Sequence, residues 1–147
     1  MAYHFYGSAE AGNVKAKNSM YKGIETPLDL YDALLDIWCA ETCAPRMRSE
    51  WTPENKTLGQ CSVTAFLAQD IFGGEVYGMV TEGGNIHCYN YADDCVFDLT
   101  SEQFGEEAKN LIYDKKTIQK RNSAGHFMKA EKKKRYEYLK EKLRNGD

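Results

Sequence analysis

The chain has 147 residues, a formal net charge of −3 and a pI near 5.7, with 42% hydrophobic and 28% charged residues. That length suits one domain with a core large enough to fold without disulfides or metal. The acidic balance argues against a nucleic-acid binder that works through a whole-domain basic field.

No stretch approaches 18 apolar residues, so no membrane span is expected. The first residues lack a basic segment followed by a long apolar run. The five cysteines are odd in number and scattered. The expected compartment is therefore the cytoplasm, with thiols reduced.

Residues 1–22 show neither helical nor strand period and read as an N-terminal arm or disordered tail. The aromatic residues Tyr3, Phe5 and Tyr6 are the ones available to dock on the body. Residues 23–147 read as a single α+β domain. Thr26-Pro27-Leu28-Asp29 is a helix start, and Leu30, Leu34, Ile37 and Trp38 recur at steps of three and four. This predicts a core-packing helix running to about Cys43. A loop over 45–59 then leads into Leu58-Gly59-Gln60-Cys61.

A second helix is predicted from Cys61 to Phe72, with Val63, Phe66, Leu67 and Ile71 as its apolar stripe and Gly73-Gly74 as its stop. Three strands follow: 75–80, 85–91 and 95–99. They are separated by turns at Gly83-Gly84 and Asp93-Asp94 and form an antiparallel meander. Thr100-Ser101-Glu102-Gln103 reads as a capping box opening a short helix. A long charged helix is expected from about Ser123 to Leu143, with Met128, Tyr136, Leu139 and Leu143 facing inward and Asn145-Gly146 after its end.

Cys61 carries the functional reading. A cysteine in the first turn of a helix faces unpaired N–H groups and the positive end of the helix dipole, which favours the thiolate. A thiol nucleophile also needs a base and an orienting acceptor behind that base. Of the histidines, His4 lies in the arm and His126 at the start of a polar helix. His87 lies on a strand that follows the cysteine helix and is the strongest candidate base.

Asp98, between Phe97 and Leu99, is the candidate acid. With Asp93-Asp94 as a two-residue turn, Tyr91 opposes Val96 and Tyr89 opposes Asp98. His87 and Asp98 then share a face on a diagonal of about 7–8 Å. A three-residue turn would put them on opposite faces.

The backbone N–H of Cys61 would serve a developing oxyanion, with Gln60 and Asn55 as candidate side-chain donors. Asn55 precedes the cysteine by six residues, the spacing papain-like peptidases use for their oxyanion glutamine. Trp51, Asn90 and Arg48 are candidate substrate-binding residues. Arg46 and Arg48 beside the cysteine loop suit a substrate carboxylate or an ordinary surface ion pair. Lys132-Lys133-Lys134-Arg135 reads as the solvated face of a helix.

The order of cysteine at a helix start, histidine on a strand and aspartate on the next resembles the core of transglutaminase-like and papain-like cysteine hydrolases. Trp51, Pro53, Leu58-Gly59-Gln60-Cys61, Gln69-Asp70, Gly73-Gly74-Glu75, His87, Asn90, Asp98-Leu99-Thr100 and Gln103-Phe104 are together similar to the YunG-like family of small bacterial proteins, over roughly residues 28–145. That resemblance implies a central helix packed on a small antiparallel sheet with flanking helices.

The expected function is cysteine-dependent hydrolysis or acyl transfer at an amide, without cofactor or metal, on an unknown protein, peptide or small amide substrate. The alternative is an inactive interaction module of the same fold. Cys39 and Cys43, with Cys88 or Cys95, would make a third reading as a zinc-binding module.

Overall fold

The structure is a computed structural model and describes residues 3–81 and 84–145. Gly83, in the expected first turn, and Gly146, in the expected last stop, lie outside the described residues. The chain forms α1 (Ser8–Ala11), α2 (Pro27–Leu35), α3 (Cys61–Phe72), β1 (Glu75–Val80), β2 (Ile86–Ala92), β3 (Cys95–Phe97), β4 (Thr117–Ile118) and α4 (Ala130–Asn145). Several 3-10 turns lie between them. The architecture is mixed α+β, with an antiparallel sheet of order β3-β2-β1-β4 among the described residues.

α3 is the centre of the molecule. Ser62 through Ala68, Ile71 and Phe72 are all buried, which is more than one face of a helix. The small residues Ser62, Ala65 and Ala68 let neighbouring elements approach closely, while Val63, Phe66, Leu67 and Ile71 fill the core. Each large side chain buried in this way contributes about 1.5–3 kcal/mol relative to exposure. β2 packs on α3, and the Asn90 amide donates to the Ala65 carbonyl of the helix at 2.9 Å. On the far side α4 closes the core with Tyr136, Leu139 and Leu143. Arg121 ties the two helices by pairing with Asp70, which also accepts from the Tyr136 hydroxyl.

Gly73 and Gly74 end α3 in the left-handed region, with φ of 75° and 72°. A Cβ on Gly74 would lie 2.1 Å from the Tyr91 carbonyl oxygen. Gly74→Ala is therefore expected to cost more than about 2 kcal/mol, because both the conformation and the space exclude a side chain. A lower urea midpoint at unchanged slope is the readout.

The β2–β3 turn uses Asp93 and Asp94 alone, both at positive φ (50° and 62°). Ala92 pairs with Cys95, Tyr91 with Val96 and Asn90 with Phe97. This is the even-parity register expected from the sequence, and it is what allows His87 and Asp98 to meet.

Four elements differ from expectation. α2 stops at Leu35 rather than near Cys43. Its start is as read, with the Asp29 carboxylate accepting from the N–H groups of Thr26 and Glu25. Its end is set by distant groups: Lys56 donates to the Leu35 carbonyl, and Trp38 turns inward to donate to the Thr64 hydroxyl. Cys39 is extended and Cys43 follows a 3-10 turn over Ala40–Thr42, so the two cysteines do not share a helical face. The fourth strand, β4, pairs with β1 through Tyr77↔Ile118 and Gly78↔Thr117 in a stretch that carries no clear period. α4 begins at Ala130, and Met128 is exposed. The stretch after Thr100 is a 3-10 helix, Ser101–Asn110, broken at Gly105. Thr100 gives it no side-chain cap, because its hydroxyl is turned to Asp98.

Residues 3–22 lie against the body. Phe5, Ala11 and Val14 are buried, and Tyr6 forms a β-bridge with Asp98.

Candidate active site

Asp98 is 1% exposed, and each of its oxygens is engaged. Oδ1 accepts from the Thr100 N–H (3.2 Å) and hydroxyl (3.4 Å). Oδ2 accepts from the Tyr113 hydroxyl at 2.7 Å and meets His87 Nε2 at 2.6 Å. A carboxylate flanked by Phe97 and Leu99 is thus satisfied by four donors, as a buried charge requires. The arm supports the arrangement from outside. Tyr6 stacks on Tyr113 with ring centroids 3.9 Å apart, and its carbonyl accepts from the Asp98 N–H.

His87 is 2% exposed, and Phe104 packs edge-on against its ring at 4.8 Å. Burial disfavours the imidazolium, but the Asp98 charge and hydrogen bond, together with Cys61, outweigh it and push the imidazole up to about 10. Nε2 is committed to Asp98. Nδ1 is buried without a hydrogen-bond partner, which leaves that nitrogen to serve the thiol.

Cys61 opens α3 and is half-buried, its sulfur 4.0 Å from the Ile86 carbonyl oxygen. Among the described residues the N–H of Cys61 has no carbonyl partner in the preceding loop, as expected for a first helical turn. The neighbouring Cys88 thiol is the largest influence lowering the Cys61 pKa. Burial opposes this, and the His87 imidazole adds to the lowering, so the Cys61 thiol sits well below its ordinary value. Cys88 is pushed up by the same contact and by burial. The two neighbouring thiols are thus pushed in opposite directions, Cys61 down and Cys88 up.

Cys61 and His87 line a cleft of about 170 Å³ together with Gln103, Phe104, Arg46 and Lys132. This cleft shares Thr81, Ile86 and Phe104 with a larger groove of about 580 Å³ along β1 and β4.

The structure brings Cys61, His87 and Asp98 together and leaves the other candidates elsewhere. The Gln60 side chain is fully buried, and its Nε2 donates to the Cys39 carbonyl at 3.1 Å. Asn55 closes a 3-10 turn, Pro53–Asn55, away from the cleft. The Trp51 indole donates to the Lys56 carbonyl. Arg48 caps the carbonyls of Ala40, Glu41 and Cys43. Asn90 serves Ala65, as described above.

Sequence reasoning missed Tyr113, because its stretch has no periodicity. It also missed Lys132, which reaches the cleft although its neighbours Lys133 and Lys134 are exposed. Gln103, read from the sequence as part of a capping box and of the family resemblance, lines the cleft and holds the Gly59 N–H through Oε1 at 3.3 Å. Among the described residues no group of three or more His, Cys, Asp or Glu side chains is gathered as metal ligands. No described helix is long and apolar enough to cross a membrane.

Tyr113→Phe removes one charge-assisted hydrogen bond to Asp98 and is expected to cost about 1.5–3 kcal/mol of stability. Urea denaturation of the variant measures this loss directly.

These features define a small α+β protein whose central helix and sheet bring a cysteine and a histidine to one cleft, with an aspartate behind the histidine. The family model described as YunG protein matches residues 26–146, and the chain belongs to the YunG family. It is similar to the "Uncharacterized protein YunG" of Bacillus subtilis (strain 168), at 45% identity over 56 residues, 38% of this chain and 48% of that protein. The chain thus spans about half the length of the curated relative it matches. No solved structure matches the chain.

Proposed function

We propose that the protein is a cysteine-dependent hydrolase or acyltransferase acting on an amide bond, with Cys61 as nucleophile, His87 as acid and base, and Asp98 as the group that orients and charges the imidazole. The observation that carries this reading is the 2.6 Å contact of His87 Nε2 with Asp98, which leaves Nδ1 unpartnered beside an acidic thiol in an open cleft. A structural cysteine needs no charged imidazole backed by a saturated carboxylate. The arrangement of cysteine helix, histidine strand and aspartate strand supports a transglutaminase-like or papain-like core.

In this reading the Cys61 thiolate attacks the carbonyl carbon. The C–S bond forms as the carbonyl electron pair moves to oxygen, where the Cys61 N–H stabilises the oxyanion. The C–N bond then breaks, and the His87 imidazolium gives its Nδ1 proton to the leaving amine. Neutral His87 next takes a proton from water or an acceptor amine. That nucleophile attacks the thioester, and the thiolate leaves. Water gives hydrolysis; an amine gives acyl transfer. The cleft is smaller than the roughly 300–1,000 Å³ of drug-sized ligand sites, which suits a single side-chain-sized acyl group.

The test is acylation by p-nitrophenyl acetate. A stoichiometric burst of nitrophenolate, with acetyl mapped to Cys61 and released by hydroxylamine, is the expected result. A burst no larger than that of Cys61→Ser overturns the reading. A second reading, an inactive interaction module, draws on one observation: neither Gln60 nor Asn55 offers a side-chain donor to the cleft. Absence of the burst favours it.

A further inference from the structure

Among the described residues, those lining the Cys61 cleft include three cations, Arg46, Lys132 and Arg135, and no aspartate or glutamate. In a chain with 22 acidic and 19 basic residues this is not the average surface. Arg135 is largely spent: it is buried, pairs with Glu131 and donates to the Thr42 carbonyl at 3.0 Å. The other two are not. Among the described residues neither Lys132 nor Arg46 has a carboxylate within ion-pair distance.

Lys132 is the more informative of the two. It is half-buried, and its ammonium donates to the Gly125 carbonyl at 2.7 Å and to His126 Nδ1 at 3.2 Å. Two of its three hydrogens are thereby used, and the third is left for the cleft. A partly desolvated ammonium without a carboxylate partner is costly unless an anion joins it. Burial lowers its pKa, while the Cys88 and Cys61 sulfurs act in the opposite direction, so it lies within electrostatic reach of the nucleophile. Arg46 stands at the exposed rim, where it adds reach rather than burial.

We propose that the cleft selects acyl substrates that carry a carboxylate close to the reacting carbonyl, with Lys132 and Arg46 as the specificity-determining cations. This rests on Cys61 being the nucleophile. It adds the substrate class: an amide with a neighbouring carboxylate rather than a neutral or basic one.

Iodoacetate and iodoacetamide test the proposal, because they differ only in carboxylate against carboxamide. Each loses iodide, with its bonding pair, as the sulfur–carbon bond forms. Both are attacked by the same thiolate, so the ratio of their rates at Cys61 cancels thiolate fraction and intrinsic nucleophilicity. His87 attracts anions in every variant and is common to all arms.

The ratio of iodoacetate to iodoacetamide rate is expected to fall about fivefold from wild type to the Lys132→Gln/Arg46→Gln double variant, the size of two modest charge interactions. Each single variant falls between. The exposed Arg46→Gln and the salt dependence of the wild-type ratio supply readings that do not depend on tolerance at Lys132. An unchanged ratio overturns the proposal. It would mean that Lys132 serves only the thiolate, since that role alters both rates alike. The ratio is readable whatever the absolute rate. A Cys61 no faster than free cysteine toward iodoacetamide therefore overturns the nucleophile reading, and the charge comparison still stands by itself.

Discussion

At pH 5, Cys61 in a His87→Ala variant is expected to react with iodoacetamide at least about tenfold more slowly than in the wild-type protein. An ordinary thiol of pKa about 8.5 is only roughly 0.03% ionised at that pH. The Cys61 thiol is held well below this value by Cys88 and by His87, against burial. Removing the imidazole removes one of the two lowering partners, and with it the counter-charge of the thiolate.

Two effects keep the expected loss below the full difference in ionisation. The more basic thiolate of the variant is intrinsically more nucleophilic, with a Brønsted slope of about 0.4–0.5. The influences of Cys88 and the helix terminus also remain. The shape of the profile is the firmer signature. The wild-type profile is displaced to lower pH and levels off earlier, while the variant climbs close to tenfold per pH unit over its lower range. Superimposable profiles would show that His87 does not charge the thiol.

The second large effect is on stability. Asp98→Asn is expected to cost about 3–5 kcal/mol near pH 6, the usual loss when one member of a buried ion pair is removed. The pH dependence follows from His87. Its folded pKa is raised to about 10, so in the wild type its contribution is fully present below the unfolded value of about 6.5. That contribution is lost as pH rises through 10. In the variant, burial opposes the imidazolium with only the Cys61 contact left to raise its pKa, so less of that contribution remains. The difference between the two proteins is therefore largest at about pH 5–6, above the carboxylate range and below the unfolded imidazole value, and shrinks toward pH 10. Urea titrations at several pH values measure it. A difference independent of pH would mean that the pair carries no charge.

The parts of the fold legible in the sequence are those set by neighbours along the chain. α3 announces itself through Gly59, the apolar steps from Val63 to Ile71 and the double glycine stop. The two-residue Asp93-Asp94 turn makes the β2–β3 parity computable, and parity alone decides whether His87 can face Asp98. What could not be read was decided by contacts distant in sequence. α2 ends where Lys56 and Trp38 make bonds across the fold. Tyr113 reaches Asp98 from a segment without period, held by an arm whose Tyr6 completes the stack. Gln60 was the right residue type beside the cysteine, but its rotamer is fixed by the core, and its amide serves Cys39 instead of the cleft. Lys132 lies in a charge run, and only the packing of α4 against α3 singles it out from its neighbours.

The central claim is that Cys61 exists as a thiolate paired with the His87 imidazolium. The most direct measurement is the ultraviolet thiolate absorbance of the wild-type protein across pH, with the absorbance of Cys61→Ser subtracted to remove the other four cysteines. The account predicts a difference signal for one thiolate already present at pH 6, with a midpoint well below the ordinary value of about 8.5. A difference signal that appears only at or above pH 8.5 would contradict it.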